Sequence, residues 1–157
     1  NIYMLAYPYG NVRLMSSYYF TDDDAGPPSV GVSGGEHCND GSNWVCEHRW
    51  GPIANMVEWS NQAGTAGVSN WSTGSNDQFA FSRNEKSFIA LNRGSDTWTV
   101  TLDTGLPSGE YCNVISWDED ADVVSKCSNT VVVESNGQAS LSVPSASAVA
   151  FHVGVKL

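Results

Sequence analysis

The sequence predicts an α+β chain in which an N-terminal part with helices and one strand precedes an antiparallel β-sandwich. We call this N-terminal part, which covers about the first seventy residues, the helical opening. Three observations support this fold class. Apolar residues at helical spacing lie between residues 46 and 57, seven short runs rich in Val, Ile, Thr, Phe and Trp follow residue 77, and turn residues separate those runs. The length of 157 residues favours one domain, with two small domains as the alternative.

The first predicted element is the end of a helix over residues 2–6, which are mainly apolar. Pro8 and Gly10 stop this helix, because proline disfavours helix in the residue before it and glycine suits a C-terminal cap. No basic stretch precedes the apolar residues and no small-residue cleavage site follows them, so we do not interpret them as a signal peptide. We expect the chain to be part of a longer protein.

A strand, a loop and a helix are predicted next. Residues 12–17 alternate so that apolar residues fall on one face of a strand and Arg13 falls on the other. Residues 21–43 are too polar and too rich in Gly and Pro for regular structure. The helix then runs from Cys46 to residue 60 or 61, and Pro52 either kinks it or lies in its first turn. This opening resembles one βα unit of a larger sheet or barrel.

The second half of the chain is predicted to contain seven strands joined by short turns. Asn136-Gly137 is the strongest signal for a two-residue hairpin turn. Seven short strands with this spacing indicate an antiparallel sandwich. The predicted strands cover residues 78–82, 86–92, 97–102, 110–116, 129–134, 138–143 and 148–153.

The charge balance excludes several classes of partner. Lys and Arg number 7 and Asp and Glu number 17, which gives a net charge of −10. Such a chain repels nucleic acid and anionic membrane surfaces. No apolar run approaches the roughly 18 to 20 residues that a membrane span requires. Charged residues are only 15% of the chain and hydrophobic residues are 41%, so we expect a folded core.

The cysteines indicate an oxidising compartment and secretion. Their even number permits two disulfides, which persist outside the reducing cytosol. His37 and His48 lie near the first two cysteines, so a zinc site is the alternative for that pair, although adjacent His and Cys are an unusual ligand spacing. The sequon that begins at Asn70 fits a secreted chain and is a candidate glycosylation site. The four cysteines are Cys38, Cys46, Cys112 and Cys127.

Acidic clusters do not form a recognisable metal or catalytic motif. Residues 118–122 carry carboxylates as a calcium loop does, but Val123 stands where the tight turn needs glycine and Asn129 where a bidentate glutamate is needed. We interpret this cluster and the acidic run at 22–24 as solvated surface. No pair of carboxylates can be named for glycoside hydrolysis, and motifs for a nucleophilic serine or a phosphate loop are absent.

Aromatic residues have two interpretations. The chain has six Trp and six Tyr, and indole rings stack on the apolar faces of sugar rings. Trp71, Trp98 and Trp117 are therefore candidate sugar platforms, but tryptophan is also an ordinary core residue of a sandwich.

Arg13 is the most unusual candidate residue, because it stands between apolar neighbours in the predicted strand. If that strand is buried, the guanidinium needs a carboxylate or a bound anion. A surface salt bridge is the alternative, since arginine is mostly exposed in proteins.

Several sequence blocks together resemble the C-terminal third of animal-type α-amylases. The residues 150–157 also resemble that family's terminus. The blocks are MLAYPYG at 4–10, RLMSSY at 13–18, GPP at 26–28, WVCEHRW at 44–50 and TGLPSGEYCNVIS at 104–116.

The resemblance implies a two-part architecture and a chemistry located elsewhere. Residues 1–68 would belong to a catalytic (β/α)8 barrel, and residues 69–157 would form a Greek-key sandwich called domain C. The family cleaves internal α-1,4-glucosidic bonds of starch and glycogen with retention. Its catalytic carboxylates and its calcium ligands would lie upstream of Asn1, so the chain alone is expected to be inactive. The alternative function is a non-catalytic module that binds glucan or braces a barrel.

The resemblance also assigns roles to individual residues. Arg13 matches the arginine that binds an activating chloride in chloride-dependent members, together with an Asn and a second Arg that this chain lacks. It implies disulfides that join Cys38 to Cys46 and Cys112 to Cys127. A secreted monomer is expected. Gly51-Pro52 departs from the family pattern at the start of the second helix, and the loop over 21–37 is shorter than in vertebrate members.

Overall fold

The computed structural model describes residues 1–32, 38, 41–75, 77–116 and 127–157. This part of the chain contains two α-helices and eight strands, with short 3-10 turns at Glu47–Arg49, Val114–Ser116 and Val153–Val155. The helices are α1 (Ile2–Ala6) and α2 (Gly51–Ala63). The strands are β1 (Val68–Thr73), β2 (Gln78–Arg83), β3 (Ser87–Asn92), β4 (Trp98–Asp103), β5 (Gly109–Cys112), β6 (Thr130–Val133), β7 (Gln138–Val143) and β8 (Ser147–His152).

The strands form one antiparallel sheet of four and two antiparallel pairs. The four-stranded sheet has the order β1-β2-β3-β8, so β1 is an edge strand and the last strand returns beside β3. Its register places Phe88 opposite Phe151. The two pairs are β4 with β7 and β5 with β6. The predicted antiparallel β-rich half is therefore confirmed, with one strand more than the sequence predicted.

Two hydrophobic cores lie on the two faces of the four-stranded sheet. One core fills the space between this sheet and the two strand pairs and includes Phe88, Trp98, Tyr111 and Phe151. The other lies between the opposite face of the sheet and the two helices. Strands β3 and β8 are buried along nearly their whole length because both of their faces are covered. This second core, which we call the helix-side core, contains Leu5, Ala6, Ile53, Met56, Trp59, Ala63, Phe81, Ile89, Val114 and Ala150.

Both predicted helices are present, and Pro52 lies in the first turn of the second one. The first turn has no use for the missing proline N–H, and the fixed φ of proline suits a helix start. Cys46 has a left-handed φ of 58°, which separates the 3-10 turn from the residues before it. The single helix predicted from Cys46 is therefore a 3-10 turn followed by α2, and a kink is not needed.

The predicted strand over residues 12–17 is wrong for this structure. These residues are extended but lie in no ladder, and only Tyr18 forms an isolated bridge, to Trp44. A strand is defined by hydrogen bonds to a neighbouring strand, and none of the described strands lies beside this segment. The alternation itself is present, because Val12 and Leu14 pack against the helix-side core while Arg13 and Met15 are exposed. The described residues therefore give no evidence for a barrel unit, and the assignment of residues 1–68 to a barrel stays a prediction.

Strand β1 was not predicted. Its sequence, VSNWST, is rich in polar residues, and its register shifts between Ser69 and Ser72. Asn70 lies in this irregular stretch with a φ of 49°, a conformation that asparagine tolerates better than most residues. An exposed edge strand with a bulge has little hydrophobic alternation, so sequence patterns do not identify it.

Two further predictions need correction. The turn at Asn136-Gly137 forms, and the Gly137 N–H donates to the Glu134 carbonyl at 2.9 Å. The strands that it joins pair with other strands, β6 with β5 and β7 with β4. The strand predicted over 110–116 ends at Cys112 and continues as a 3-10 turn. Neither described helix has the length and apolar character that a membrane crossing requires.

Candidate functional site

Arg13 lies on the outer side of the extended segment that connects the two helices. It is exposed, whereas its neighbours Val12 and Leu14 are partly buried against the helix-side core. No described residue forms a hydrogen bond or an ion pair with its guanidinium. The side chain is therefore a charged group that the described part of the chain leaves without a partner.

A set of contacts after Arg13 fixes the direction of this segment. The carboxylate of Glu47 accepts hydrogen bonds from the Ser17 N–H at 2.9 Å and from the Ser17 hydroxyl. The Ser16 hydroxyl accepts from the Cys46 N–H at 2.8 Å. Burial raises the pKa of Glu47, but the hydrogen bonds from Ser17 outweigh it and the pKa lies below its ordinary value. The ionised carboxylate thus holds the segment that carries Arg13 against the 3-10 turn.

Disulfides join Cys38 to Cys46 and Cys112 to Cys127, the two pairs that the resemblance implies. Because both thiols of the first pair are consumed, Cys38 and Cys46 are not zinc ligands. Of the two histidines of the zinc alternative, His37 lies outside the described residues and His48 lies in the 3-10 turn Glu47–Arg49. Within the described ranges, no three His, Cys, Asp or Glu side chains lie close enough together to hold a metal ion.

The acidic candidates and one tryptophan fall in different places. Asp22 is exposed and its carboxylate accepts from the Asp24 N–H at 3.1 Å, an ordinary turn contact. The cluster at 118–122 and the neighbouring Trp117 lie outside the described residues. Of the remaining two candidate platforms, Trp98 is 8% exposed within the core between the sheets and cannot contact a sugar. Trp71 is 52% exposed.

Asn70 is exposed at the bulge of the edge strand. Its side-chain amide donates to the Ser82 hydroxyl at 3.2 Å, and the same hydroxyl donates to the Thr104 carbonyl at 2.6 Å. A side chain on Gly105, which has a φ of +67°, would begin only 2.5 Å from the Asn70 amide nitrogen. The amide therefore packs tightly against the Gly105 backbone. Glycosylation of Asn70 stays a prediction.

Arg83 was missed by the sequence reasoning and is the most deeply buried charge of the described residues, with 3% of its surface exposed. Its guanidinium donates to three backbone carbonyls, those of Ala6 at 2.9 Å, Gly64 at 2.8 Å and Ala66 at 2.6 Å. Burial lowers the pKa of Arg83 below its ordinary value. One side chain of β2 thereby satisfies carbonyls at the C-terminal ends of both helices, where the helix dipole favours a cation.

Trp59 connects α2 to the centre of the four-stranded sheet. The side chain is fully buried, and its indole N–H is shared between the carbonyls of Phe88 and Phe151, each at 3.1 Å. Asn55, one helical turn earlier, donates to the Val114 carbonyl at 2.9 Å. These bonds fix both the depth and the rotation of α2 on the sheet, so the helical opening and the sandwich share one packed interior.

His152, at the end of β8, gives the fold a dependence on pH. The ring is fully buried, its Nδ1 accepts from the Gly154 N–H at 3.1 Å, and its Nε2 is buried without a partner among the described residues. Burial lowers the pKa below the ordinary value of 6.5, and the carboxylate of Glu58 on α2 partly offsets this effect. The folded protein therefore holds the neutral ring at a pH where the unfolded chain already binds a proton.

We predict that stability falls as the pH drops through 6.5 toward the lower folded pKa of His152, because in that window the unfolded state binds more protons. Urea unfolding between about pH 8 and pH 5 should show this loss, and His152→Gln should flatten the pH profile although it lowers stability at pH 8. A His152→Gln profile that runs parallel to that of the unsubstituted protein would contradict this assignment.

An open cleft of about 770 Å³ lies between α1, the extended segment and the C-terminal half of α2. Its walls combine apolar side chains, such as Leu14 and Val57, with the amide of Asn61 and the edge of Arg83. Several large apolar side chains of the opening are exposed as well, including Met15 at 78% and Phe20 at 59%. Exposed apolar surface of this extent is typical of an interaction face.

Comparisons with known proteins all point to one family. Residues 69–154 match a family described as alpha amylase, C-terminal all-beta domain. The chain is 40% identical to an α-amylase of Tenebrio molitor over 99% of its own length and 34% of that protein. It is 41% identical to an α-amylase of Pecten maximus over 98% of its own length and 32% of that protein.

Solved structures give the same result. The chain matches wild-type α-amylase I of Eisenia fetida with a TM-score of 0.82 and 38% identity, over 97% of this chain and 34% of that one. A mutant of the same enzyme in complex with maltohexaose matches with a TM-score of 0.81 and 37% identity. The similarity covers the helical opening as well as the sandwich, and the chain spans about a third of the length of these relatives.

Proposed function

Because the chain belongs to the α-amylase family, we propose that it forms the C-terminal part of an enzyme that hydrolyses internal α-1,4-glucosidic bonds of starch and glycogen with retention. The observation that supports this proposal most strongly is the similarity of about 40% identity along both the opening and the sandwich. A match restricted to the sandwich would fit any protein that carries such a module. The extension into residues 1–68 ties the chain to the enzyme itself.

In this proposal the chemistry lies in a part of the enzyme that this chain does not contain. Retaining hydrolysis needs two carboxyl groups about 5 to 5.5 Å apart, one as nucleophile and one as acid and base. We assign neither role to a residue of this chain, and we assign the calcium ligands of the enzyme elsewhere too. The 157 residues alone are therefore expected to be inactive.

The contribution of this chain is to stabilise the barrel by fixing the two helices to the sandwich. Trp59 and Asn55 anchor α2 to the sandwich, and Arg83 anchors the ends of both helices. The open cleft and the exposed apolar residues beside it provide the surface on which the rest of the barrel would pack. This bracing role is the part of the alternative, non-catalytic interpretation that the contacts favour.

Arg13 is proposed as the one residue of this chain that binds an activating chloride. Its guanidinium is exposed and has no partner among the described residues. An unpartnered guanidinium of this kind can bind an anion together with ligands from another part of the enzyme. The remaining ligands, an Asn and a second Arg, would come from the part of the enzyme outside this chain. A chloride bound near a catalytic acid raises the pKa of that acid toward the working pH.

We predict that Arg13→Gln in the longer enzyme abolishes the stimulation of starch hydrolysis by chloride, because the neutral amide removes the charge that attracts the anion. Rates measured from 0 to about 100 mM NaCl at constant ionic strength check this prediction. Arg93→Gln, at an exposed position of the sandwich, is the matched control and should keep full stimulation. Unchanged chloride dependence in Arg13→Gln would remove the chloride proposal and leave the family assignment intact.

The environment of the protein follows from its disulfides and its charge. Two disulfides support a secreted, extracellular enzyme. The net charge of −10 supports a neutral glucan as the substrate, with no role for nucleic acid or membranes. We propose a monomer.

The stereochemistry of the products tests the proposed reaction. The longer enzyme is incubated with maltoheptaose while NMR follows the anomeric protons of the new reducing ends. The α-anomer should appear first, together with several product lengths from internal cleavage. Immediate release of the β-anomer, or the absence of hydrolysis, would contradict the proposal.

A further inference from the structure

Hydrogen bonds join the extended segment between the two helices to the start of the 3-10 turn, and we call this set of residues the serine clamp: Ser16, Ser17, Cys46 and Glu47. The Glu47 carboxylate accepts from both the N–H and the hydroxyl of Ser17. The Ser16 hydroxyl accepts from the Cys46 N–H at 2.8 Å and donates to the Ser17 carbonyl at 2.8 Å. The same carbonyl accepts from the Val45 N–H at 2.9 Å.

Arg13 lies between the serine clamp and a second anchor. Its neighbours Val12 and Leu14 pack against the helix-side core. Ser17 is four residues further on, which is at most about 14 Å along an extended chain. A short segment that is held at both ends has few alternative conformations. The backbone contacts on either side of Arg13 therefore fix where its guanidinium begins, although the guanidinium itself has no partner among the described residues.

We propose that Glu47 is a positioning residue for the anion site: through Ser17 it holds Arg13 where the guanidinium can bind a monovalent anion such as chloride. This inference rests on the proposed function, because the other anion ligands would come from the rest of the enzyme. Ligands from separate segments bind best when each is already in place, since ordering them on binding costs conformational entropy. Outer partners of metal ligands act in this way, and their loss costs about 10- to 100-fold in affinity.

Positioning and simple electrostatics predict opposite effects for Glu47. A carboxylate near an anion site repels the anion, so removing its charge should by itself strengthen anion binding. The same charge strengthens the two hydrogen bonds from Ser17, because bonds to an ionised acceptor are about twice as strong as those to a neutral one. If the serine clamp positions Arg13, loss of the Glu47 charge should therefore weaken anion binding.

The test measures chloride binding directly in the longer enzyme. The line width of the chloride NMR signal reports binding, and so does the rise of the thermal unfolding midpoint with NaCl at constant ionic strength. Glu47→Gln retains the size of the side chain but removes its charge, and it should weaken chloride binding by about tenfold. Glu110→Gln removes an exposed carboxylate of β5 and is the matched control, which should bind chloride as the unsubstituted enzyme does.

Ser17→Ala tests the same contact without a change of charge. It removes the hydroxyl and leaves the N–H, so one of the two hydrogen bonds to Glu47 is lost. We expect chloride binding to weaken by a smaller factor than in Glu47→Gln. The two substitutions should also be coupled, because residues that share one contact are not additive. The loss in the double variant should be smaller than the product of the two single losses.

Distinct outcomes overturn distinct claims. Circular dichroism verifies that each variant is folded, and Ser17→Ala serves if Glu47→Gln is not. Unchanged or tighter chloride binding by folded Glu47→Gln overturns the positioning role, even if the variant is less stable, since Glu47 then supports only the fold. If Arg13→Gln loses chloride binding while Glu47→Gln retains it, the proposed function stands and only the positioning role is overturned. Absence of chloride binding by the unsubstituted enzyme would defeat both.

Discussion

Replacing Arg83 with methionine is expected to lower the free energy of unfolding by about 3 to 5 kcal/mol, the cost of breaking a buried charged network. The guanidinium donates to the carbonyls of Ala6, Gly64 and Ala66, and each bond joins a charged donor to a neutral acceptor. Methionine fills much of the same volume but donates nothing, so three carbonyls lose their partner. The apolar stem is conserved, which confines the effect to the hydrogen bonds.

Guanidinium chloride unfolding measures this loss, and Arg93→Met is the matched control. Arg93 is also an arginine of the sandwich but is exposed, so its replacement should change stability by less than about 0.5 kcal/mol. Arg83→Lys should fall between the two, since an ammonium group cannot reach three carbonyls in the planar arrangement of a guanidinium. If Arg83→Met is as stable as Arg93→Met, the three carbonyl bonds do not hold the helices to the sandwich.

Trp59→Ala is expected to cost about 3 to 5 kcal/mol, the range for removing a large, fully buried aromatic side chain. The indole lies between α2 and the sheet, and its N–H is the shared donor to Phe88 and Phe151. Trp59→Phe keeps much of the packing but removes this donor, and we expect a loss of about 1 to 3 kcal/mol. Both variants should weaken the attachment of α2 before the sandwich itself unfolds.

Hydrogen exchange identifies where the stability is lost. In Trp59→Ala the exchange of the α2 amides should accelerate, relative to the unsubstituted protein, more than the exchange of the β3 and β8 amides. The ladder bonds of those two strands are intact in this variant. Val57→Ala, on the exposed side of the same helix, is the control and should leave the exchange rates nearly unchanged. Uniform acceleration across helix and strands in Trp59→Ala would mean that α2 is not a separately anchored element.

Much of the fold could be predicted because local patterns and tertiary packing agree in the sandwich. Residues 138–143 alternate between buried and exposed positions along β7, as the sequence pattern requires. In the second helix Ile53 faces the core as predicted, although Trp50 and Val57 of the same predicted stripe are each 38% exposed. Pro52 takes the first-turn position that its chemistry favours. In these elements the residues next to one another in sequence carry the decisive information.

The errors arise where the deciding contact is distant in sequence. The segment 12–17 alternates as a strand does, but a strand also needs a neighbour, and alternation does not report one. In the sequence, Arg83 has the pattern of an ordinary polar residue at the end of a strand. Its partner Ala6 is 77 residues away, so no local pattern reports the contact. An arginine two residues after the buried Phe81 was the only available signal, and it does not identify carbonyls as the acceptors.

Among the candidate site residues, the pairing of the cysteines could be predicted from their number, whereas the exposure of the tryptophans could not be predicted from the sequence. The cysteines could be expected to pair because a secreted chain with an even count favours disulfides. Trp71 and Trp98 look alike in sequence, but one is exposed on the edge strand and the other is buried between the sheets. The side of the sheet on which Trp71 lies depends on the bulge in β1, which the sequence pattern does not show.

The division of labour between this chain and the rest of the enzyme is tested most directly by one comparison. Reducing-sugar release from soluble starch is measured for the 157-residue chain alone and for the longer polypeptide that contains it, at equal molar concentration and with chloride and calcium present. We expect hydrolysis by the longer polypeptide and no release above the blank by the chain. Hydrolysis by the chain alone would place the catalytic carboxylates within these residues and would rule out the proposal that they lie elsewhere in the enzyme.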